Sequence, residues 1–568
     1  MKKLKTNISN SIISALEKAF PEADIPSADD ILQMLEYPPD ENMGDLAFPC
    51  FKLSRALRKA PPAIAAAIGD GFICDGIESC NVIGGYLNFR ISTSYYGALA
   101  PDIISKGDEY GRPHVGEGKT VVLDYSAPNI CKPFHIGHLA STIIGHSLKK
   151  IHQFAGYNCV GVNHLGDWGT QFGKQITAYK LWGDKATVEK GGVDELVRLY
   201  VKFHEEAEKD PALSDRARAE FAKLEEGDAE NTALWKWFVK ISLDECNKTY
   251  EKLGVDFDSY AGESFYTDKM PEQIEVLREK GLLKLDNGAS IVDLSEYNMP
   301  PCLILKSDGS TLYPTRDIAA AVYRRRTYDF DKCIYVTASQ QCLHFAQWFK
   351  VVELMGYDFY DKLVHVPYGM VSIDGAKLAT RTGNVILIRD LINAAVEKVS
   401  AVIEEKNPDL ENKAQVAQDV GVGAVVFHYL LNSRIKDTNF IMDDALSFDG
   451  STGPYAQYTY ARTCSLIEKA GDIAGDVKIT EPSEAALMKT LSRFEEVVDA
   501  ALRDYEPSNI TRYIIDVCVA FNRFYQDCKI LGAESDDVKA SRVMLVKATN
   551  TVLGNALPLI CMKTPRKI

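Results

Sequence analysis

Two histidines spaced by Ile-Gly, in Phe134-His-Ile-Gly-His138, are the residues best suited to chemistry in this chain. They follow a compact apolar run, Thr120-Val-Val-Leu-Asp-Tyr125, and a loop from Ser126 to Phe134 that contains Pro and Asn. Behind them Ile136, Leu139, Ile143, Leu148, Ile151 and Phe154 recur on one helical face that stops at Gly156. The pair therefore stands where a helix begins. Unpaired backbone N–H groups and the positive end of the dipole favour phosphate there. His135 and His138 add side-chain donors for oxygens that gain charge during chemistry at phosphorus. Gly137, without a side chain, lets a flat base approach the backbone. Alone, the tetrapeptide would read as two solvated histidines; the strand before it and the helix after it favour the phosphate site.

Those residues need a frame. Asn158-Cys-Val-Gly-Val-Asn163 is the next strand, completing a strand–loop–helix–strand unit that suits a parallel, doubly wound sheet. His164, Gly166, Asp167, Gly169 and Gln171 form a second glycine-rich turn after it. Residues from about 170 to 255 read as a charged helical insertion, in which Trp235, Trp237 and Phe238 read as core. Strand candidates return at Ser290–Val292, Cys302–Leu305, Lys332–Val336 and Leu363–Val366. From about 400 the chain reads as an all-helical bundle with no convincing strand. Before the sheet, Ile12, Ile13, Leu16 and Phe20 have helical spacing and Ala56 to Ile68 reads as an alanine-rich helix. Val82 to Ile91 reads as two short strands meeting at Gly-Gly. The Gly- and Pro-rich stretch Gly107 to Lys119 marks a boundary. The expected fold is an α+β domain over 1–112, an α/β Rossmann-like domain over 113–400 with its insertion, and an all-α domain over 401–568.

Composition limits the function. The chain has 568 residues, with 79 acidic against 64 basic ones, a net charge of −15. That balance disfavours a general nucleic-acid coater, although one RNA held through local patches remains open. From residue 401 onward 19 Lys plus Arg face 24 Asp plus Glu, yet Arg542, Lys547, Lys563, Arg566 and Lys567 cluster near the end without an acid. Five positive charges there could grip phosphates, or form a flexible tail. The 13 Cys contain no CxxC pair, which argues for free thiols in a reducing compartment and against a structural zinc site. No stretch reaches 18 uninterrupted apolar residues and the basic start lacks an apolar core behind it, so a cytoplasmic protein without membrane contact is expected.

The motifs together resemble one family. HIGH on a first strand–helix turn is the signature of class I aminoacyl-tRNA synthetases. The longer Ser126-Ala-Pro-Asn-Ile-Cys-Lys-Pro-Phe-His-Ile-Gly-His138 resembles the arginyl-tRNA synthetases. The resemblance continues, in order, through His164 to Gln171, Gly262-Glu-Ser264, Tyr313-Pro-Thr-Arg-Asp317, Ala338-Ser-Gln-Gln341 and Phe448 to Tyr458. It spans essentially the whole chain. The second class I signature, usually KMSKS, corresponds to Gly375-Ala-Lys-Leu-Ala-Thr-Arg-Thr-Gly-Asn384. Ala379 replaces its serine, and Thr380 stands where other families carry the second lysine.

The resemblance implies an arginine–tRNA ligase that uses ATP with Mg²⁺ and no tightly bound metal or organic cofactor. It implies that L-arginine, ATP and tRNA(Arg) are the partners and that arginine activation needs bound tRNA; apart from the resemblance, a monomer is expected. Lys132, His135, His138, Lys377 and Arg381 would act on the phosphates, with Lys132 supplying the missing cation. ATP would lie against His135, Gly137, His138, Gly166, Asp167 and Lys377. Arginine would meet Asn129, His138, Glu263, Tyr313, Asp317 and Gln341. Fixed carboxylates suit a planar guanidinium with five donors, and Tyr313 and Asp317 share a face if helical. The tRNA would be met by Tyr86 and Asn88, and by Tyr455 and Tyr458. Two rivals stay open: a class I synthetase for another amino acid, and a catalytically silent RNA-binding relative.

Overall fold

The computed structural model describes residues 1–132, 134–373, 376–377 and 386–568, with Glu41, Ile373, Ala376 and Lys377 through their backbone only. At its centre four parallel strands run in the order Leu363–Tyr368, Lys332–Ala338, Thr120–Asp124, Asn158–Val162. The chain leaves Asp124 toward one side of the sheet and returns on the other. The connections that follow the two innermost strands, Thr120–Asp124 and Lys332–Ala338, thus run off in opposite directions from their carboxyl ends and leave a crevice there.

The helix Ile136–Phe154 packs Ile136, Leu139, Ile143, Leu148 and Ile151 against this sheet. It is buried on its polar side as well, which one-sided periodicity does not announce. Ser147 Oγ donates to Leu559 O at 2.7 Å, from the long C-terminal helix Asp536–Leu559. Lys149, 2% exposed, reaches Asp256 at 2.6 Å and Asp258 at 2.8 Å. A buried ammonium needs such partners, because an unpaired charge there is expensive.

Helices Thr170–Trp182, Lys185–Lys209, Ala212–Glu225 and Ala229–Leu253 make up the insertion, and Phe238 sits at the centre of its core. The strands near 290 and 302 are not part of the central sheet. With Leu283–Asp286 they form a separate antiparallel sheet, turned by Asn287 and Gly288, both at positive φ.

Two expectations fail locally. The alanine-rich helix is broken: Ser54–Leu57 ends at Arg58 with φ 51°, and Pro61 opens a new helix, Pro61–Gly69. Proline fits a first turn and not a helix interior. The C-terminal part is not purely helical either. Thr438–Phe440 pairs in parallel with Val371–Ile373, just ahead of the second signature. Three residues are too few for a period-two pattern to show. A limit at residue 400 also falls inside the continuous helix Ile388–Lys406.

The N-terminal part carries the sheet Leu46–Pro49, Tyr86–Ile91, Ile77–Ile83 in that order. It is tied to the C-terminal helices by Lys2 to Asp499 (3.1 Å), Lys5 to Glu496 (2.9 Å) and Lys489 to Asp45 (3.0 Å). Among the described residues no helix is long and apolar enough to cross a membrane.

Candidate active site

The loop after Asp124 is conformationally costly. Ser126, Ala127 and Cys131 have φ of 71°, 46° and 60°, a region that side chains other than glycine rarely enter. Strain of this kind persists only where the surroundings over-determine it, and it clusters at functional sites. Here Ser126 N donates to Ser141 Oγ (3.0 Å) and Ala127 N to Asn163 Oδ1 (3.2 Å). Cys131 N donates to Ser242 Oγ at 3.2 Å, and Ser126 Oγ meets Tyr250 Oη at 2.7 Å. Ser242 and Tyr250 both belong to helix Ala229–Leu253, so the insertion buttresses the loop. Asn129 is exposed and bridges to Gly166, where an added Cβ would lie 2.5 Å from Asn129 Oδ1. Gly166 is required by that close approach.

The two histidines cap their own helix. Gly137 N donates to His135 Nδ1 at 3.0 Å, and His135 N donates to His138 Nδ1 at 3.3 Å. With Nδ1 accepting in both rings, the proton of each neutral imidazole sits on Nε2. Burial holds His138 down to about 3, helped by neighbouring His135, and lowers His135 too, helped by Lys132. Near neutral pH both are therefore uncharged Nε2–H donors. Lys132 projects from the loop with its ammonium lowered by partial burial and by Lys174, against the pull of Glu263.

Across the crevice stand the acids. Asp167 is occupied: Ser264 donates to it through its backbone N (2.8 Å) and its Oγ (2.7 Å), locking the two turns together. Trp235 Nε1 donates to Asp167 O at 2.8 Å, so one of the aromatics read as core also fixes this turn. The Asp167 carboxylate thus acts as a brace. Glu263 carries Arg316 at 3.2 Å, and Asp317 carries His344 Nε2 at 2.6 Å. Tyr313 opens the helix Tyr313–Tyr328 at 66% exposure, and Gln341 ends a turn at the carboxyl end of strand Lys332–Ala338. Beneath them Arg324, 1% exposed, reaches Asp124 at 2.8 Å and His164 Nδ1 at 3.2 Å. His344 and Arg324 stand in none of the quoted motifs, and Arg316 lies inside Tyr313-Pro-Thr-Arg-Asp317 without a role assigned to it. Adjacency to Asp317 was the one available hint for Arg316.

Arg381 and the side chain of Lys377 lie outside the described residues. The chain beyond them is anchored on the first signature: Ile136 N donates to Ile386 O (3.2 Å) and Ile388 N to Phe134 O (3.1 Å). Arg389 then reaches Asp194 at 2.8 Å and Glu245 at 3.0 Å, both on the insertion.

The residues assigned to RNA divide. Tyr86 is 37% exposed and meets Phe51 edge to face at 5.2 Å, whereas Asn88, on the same strand face, is buried. Tyr455 packs inward and accepts from Asn522 Nδ2 at 2.8 Å. Tyr458 is exposed, with Arg462 4.9 Å from its ring centre, on the wall of a cavity of about 1130 Å³ that also includes Arg566 and Lys567. Of the five late cations, Arg542 is spent internally, buried against Glu484 at 2.9 Å. A buried pair of this kind offers nothing to a phosphate.

Comparison with known proteins supplies the lineage. The family description "tRNA synthetases class I (R), catalytic domain" matches residues 100–442, "Arginyl tRNA synthetase N terminal domain" matches 5–91, and "DALR anticodon binding domain" matches 456–568. The chain is 52% identical to the arginine–tRNA ligase of Alkaliphilus metalliredigens over 550 residues, 95% of this chain and 96% of the relative. It is 51% identical to that of Clostridium beijerinckii over 545 residues, again covering 95% and 96%. In fold it follows the Thermus thermophilus arginyl-tRNA synthetase, with a TM-score of 0.85, 24% identity and complete coverage of both chains. The strained loop, the self-capped histidines and the paired acids are thus found in a chain that belongs to the arginyl-tRNA synthetase family.

Proposed function

We propose that the protein joins L-arginine to tRNA(Arg) with ATP, through an arginyl adenylate. The observation that carries this reading is that the loop leading into two neutral Nε2–H donors is bridged at Asn129 to Gly166, beside the turn where Asp167 is locked to Ser264 next to Glu263, and that Lys132 of the same loop feels the Glu263 carboxylate. A carboxylate oxygen of arginine attacks the α-phosphorus of ATP, and pyrophosphate leaves with the electrons of the broken P–O bond. His135, His138, Lys132, Lys377 and Arg381 meet the phosphate oxygens, and Mg²⁺ enters with ATP as part of that substrate. Asn129 and Gln341 hold the polar groups of the amino acid, and Glu263, Tyr313 and Asp317 its side chain. A 2′-hydroxyl of the terminal adenosine then attacks the adenylate carbonyl, releasing AMP. No enzyme nucleophile is needed.

Exposed Tyr86 and Tyr458 are the stacking surfaces in this reading, with Asn88 and Tyr455 holding the elements that present them. Aromatic stacking on a base is worth about 1–3 kcal/mol. The reading takes the protein as a monomer acting in the cytoplasm. The three-part division belongs to the reading, with its second limit taken at the start of helix Ile388–Lys406.

Bulk tRNA offered with each of the twenty amino acids should be charged with arginine alone, and charging with another amino acid would reject the proposal. Asp317→Asn should raise the arginine KM about 100-fold, as expected for removing one partner of a charge-assisted pair. ATP–pyrophosphate exchange should appear only when tRNA is added; strong exchange with arginine and ATP alone would remove the tRNA requirement.

A further inference from the structure

The carboxylates assigned to the arginine side chain already hold cations or cation-forming groups of the chain itself. Arg316 Nη1 lies 3.2 Å from Glu263 Oε1, with the two side chains only 12% and 16% exposed. His344 Nε2 lies 2.6 Å from Asp317 Oδ2. Arg316 and Asp317 are consecutive on helix Tyr313–Tyr328, pointing about 100° apart. One helix turn thus presents both an acceptor for a guanidinium and a guanidinium. Arg316 Nε is buried without a hydrogen-bond partner among the described residues, so its seat on Glu263 leaves it incompletely satisfied.

Arg316 already sits on Glu263 Oε1, and a second guanidinium brought to the same carboxylate would meet its like charge at close range. We propose that arginine binds by guanidinium exchange, the substrate taking Glu263 from Arg316, and that Arg316 is a specificity-determining residue because only another guanidinium displaces it. This rests on the reading of Glu263 and Asp317 as the arginine side-chain contacts. A lysine ammonium is compact and strongly hydrated, and offers a carboxylate no planar fork. It would replace the resident guanidinium with a group that the planar carboxylate holds less well. Citrulline, being neutral, would leave Glu263 without a countercharge.

The charges around Glu263 give the exchange a pH signature. Arg316 and Asp317 face it from helix Tyr313–Tyr328, Asp167 from the turn after strand Asn158–Val162, and Lys132 from the strained loop. Burial pushes Glu263 up to about 7, with Asp167 and Asp317 adding to the rise and Arg316 opposing it. A protonated carboxyl cannot hold a guanidinium, so arginine affinity should fall as the pH drops below about 7. Removing Arg316 removes the group that keeps Glu263 ionised, and removes the competitor as well.

Calorimetric titration of the full-length protein with arginine, and separately with lysine, between pH 6 and 9 tests this. The unaltered protein should gain affinity for arginine about tenfold from pH 6 to 8, with its midpoint near 7, and then level off, with no measurable binding of lysine. Arg316→Met should move the midpoint up by about one pH unit. At pH 9, with Glu263 ionised, it should bind arginine at least as tightly as the parent and should bind lysine measurably. Arg316→Lys, which keeps a charge beside Glu263, should keep the midpoint near that of the parent. An unmoved midpoint in Arg316→Met, or weaker arginine binding at pH 9, overturns the exchange. Asp317→Asn separates the two levels. If that variant binds arginine like the parent, the pocket assignment itself falls. If it loses arginine while Arg316→Met retains the parent's midpoint and rejection of lysine, the exchange alone falls.

Discussion

Alanine at His138 is expected to lower kcat/KM for arginylation about 10²–10³-fold, the usual cost of deleting one donor aimed at developing charge. The ring is fixed before any substrate arrives. Its Nδ1 accepts from His135 N at 3.3 Å, and it stacks on Phe134 with ring centres 5.4 Å apart. Those contacts leave Nε2–H as the free donor and hold it still, so little reorganisation is needed during reaction. Burial keeps the imidazole neutral down to about pH 3. Activity between pH 6 and 9 should therefore show no inflection from this residue. Loss of a helix cap costs only about 1 kcal/mol, so folding should survive and the deficit should appear in turnover. Steady-state charging with saturating tRNA, alongside a thermal melt, measures both. A variant with normal kcat/KM would remove His138 from the chemistry.

The largest effect on stability should come from a residue that touches no substrate. Arg324→Met is expected to destabilise the sheet domain by about 3–5 kcal/mol, because it strands a buried charge. Arg324 is 1% exposed and reaches Asp124, 12% exposed at its side chain, at 2.8 Å. Its planar group also faces the rings of Tyr335 and Tyr266 at 5.5 and 5.9 Å, so methionine would fill the space but leave the carboxylate alone. An unpaired buried carboxyl binds its proton more tightly folded than unfolded. The damage should therefore be greatest at neutral pH and shrink toward pH 4 to 5. Replacing both partners, Asp124→Leu with Arg324→Met, should recover most of the loss. Differential scanning calorimetry at pH 7.5 and 5 reads all three. Equal melting temperatures for the parent and Arg324→Met at pH 7.5 would show that the pair contributes nothing.

Arg324 shows where sequence reading stops. Its partners Asp124 and His164 lie 200 and 160 residues earlier, and in Tyr-Arg-Arg-Arg it is one of three consecutive arginines with no periodic feature to mark it. Its neighbours have other fates. Arg325 pairs with Asp329 and Arg326 with Glu272, both at or near the surface. Which arginine enters the core is set by where the helix lies on the sheet. Arg542 gives the same lesson with the opposite sign: counted as a phosphate ligand in an acid-free stretch, it is the internal partner of Glu484, 58 residues away.

Local pattern was enough for the first signature, because strand, loop, helix and next strand lie within one short stretch and each obeys its own period. Ile136 to Phe154 is helical as its spacing requires, and His135 and His138 cap it because they stand at its first turn. The identities of Glu263 and Asp317 as facing acids came from ordered motifs spread over the chain. Their ionic partners did not. Arg316 on Glu263, His344 on Asp317, Trp235 on the turn at Asp167 and the strand at Thr438–Phe440 depend on contacts between segments far apart in sequence. Hydrophobic period and capping chemistry act within a few residues, so they fix elements and the residues at their ends. Burial, pairing and proton affinity depend on what lies across a gap, and that distance exists only once the chain has folded.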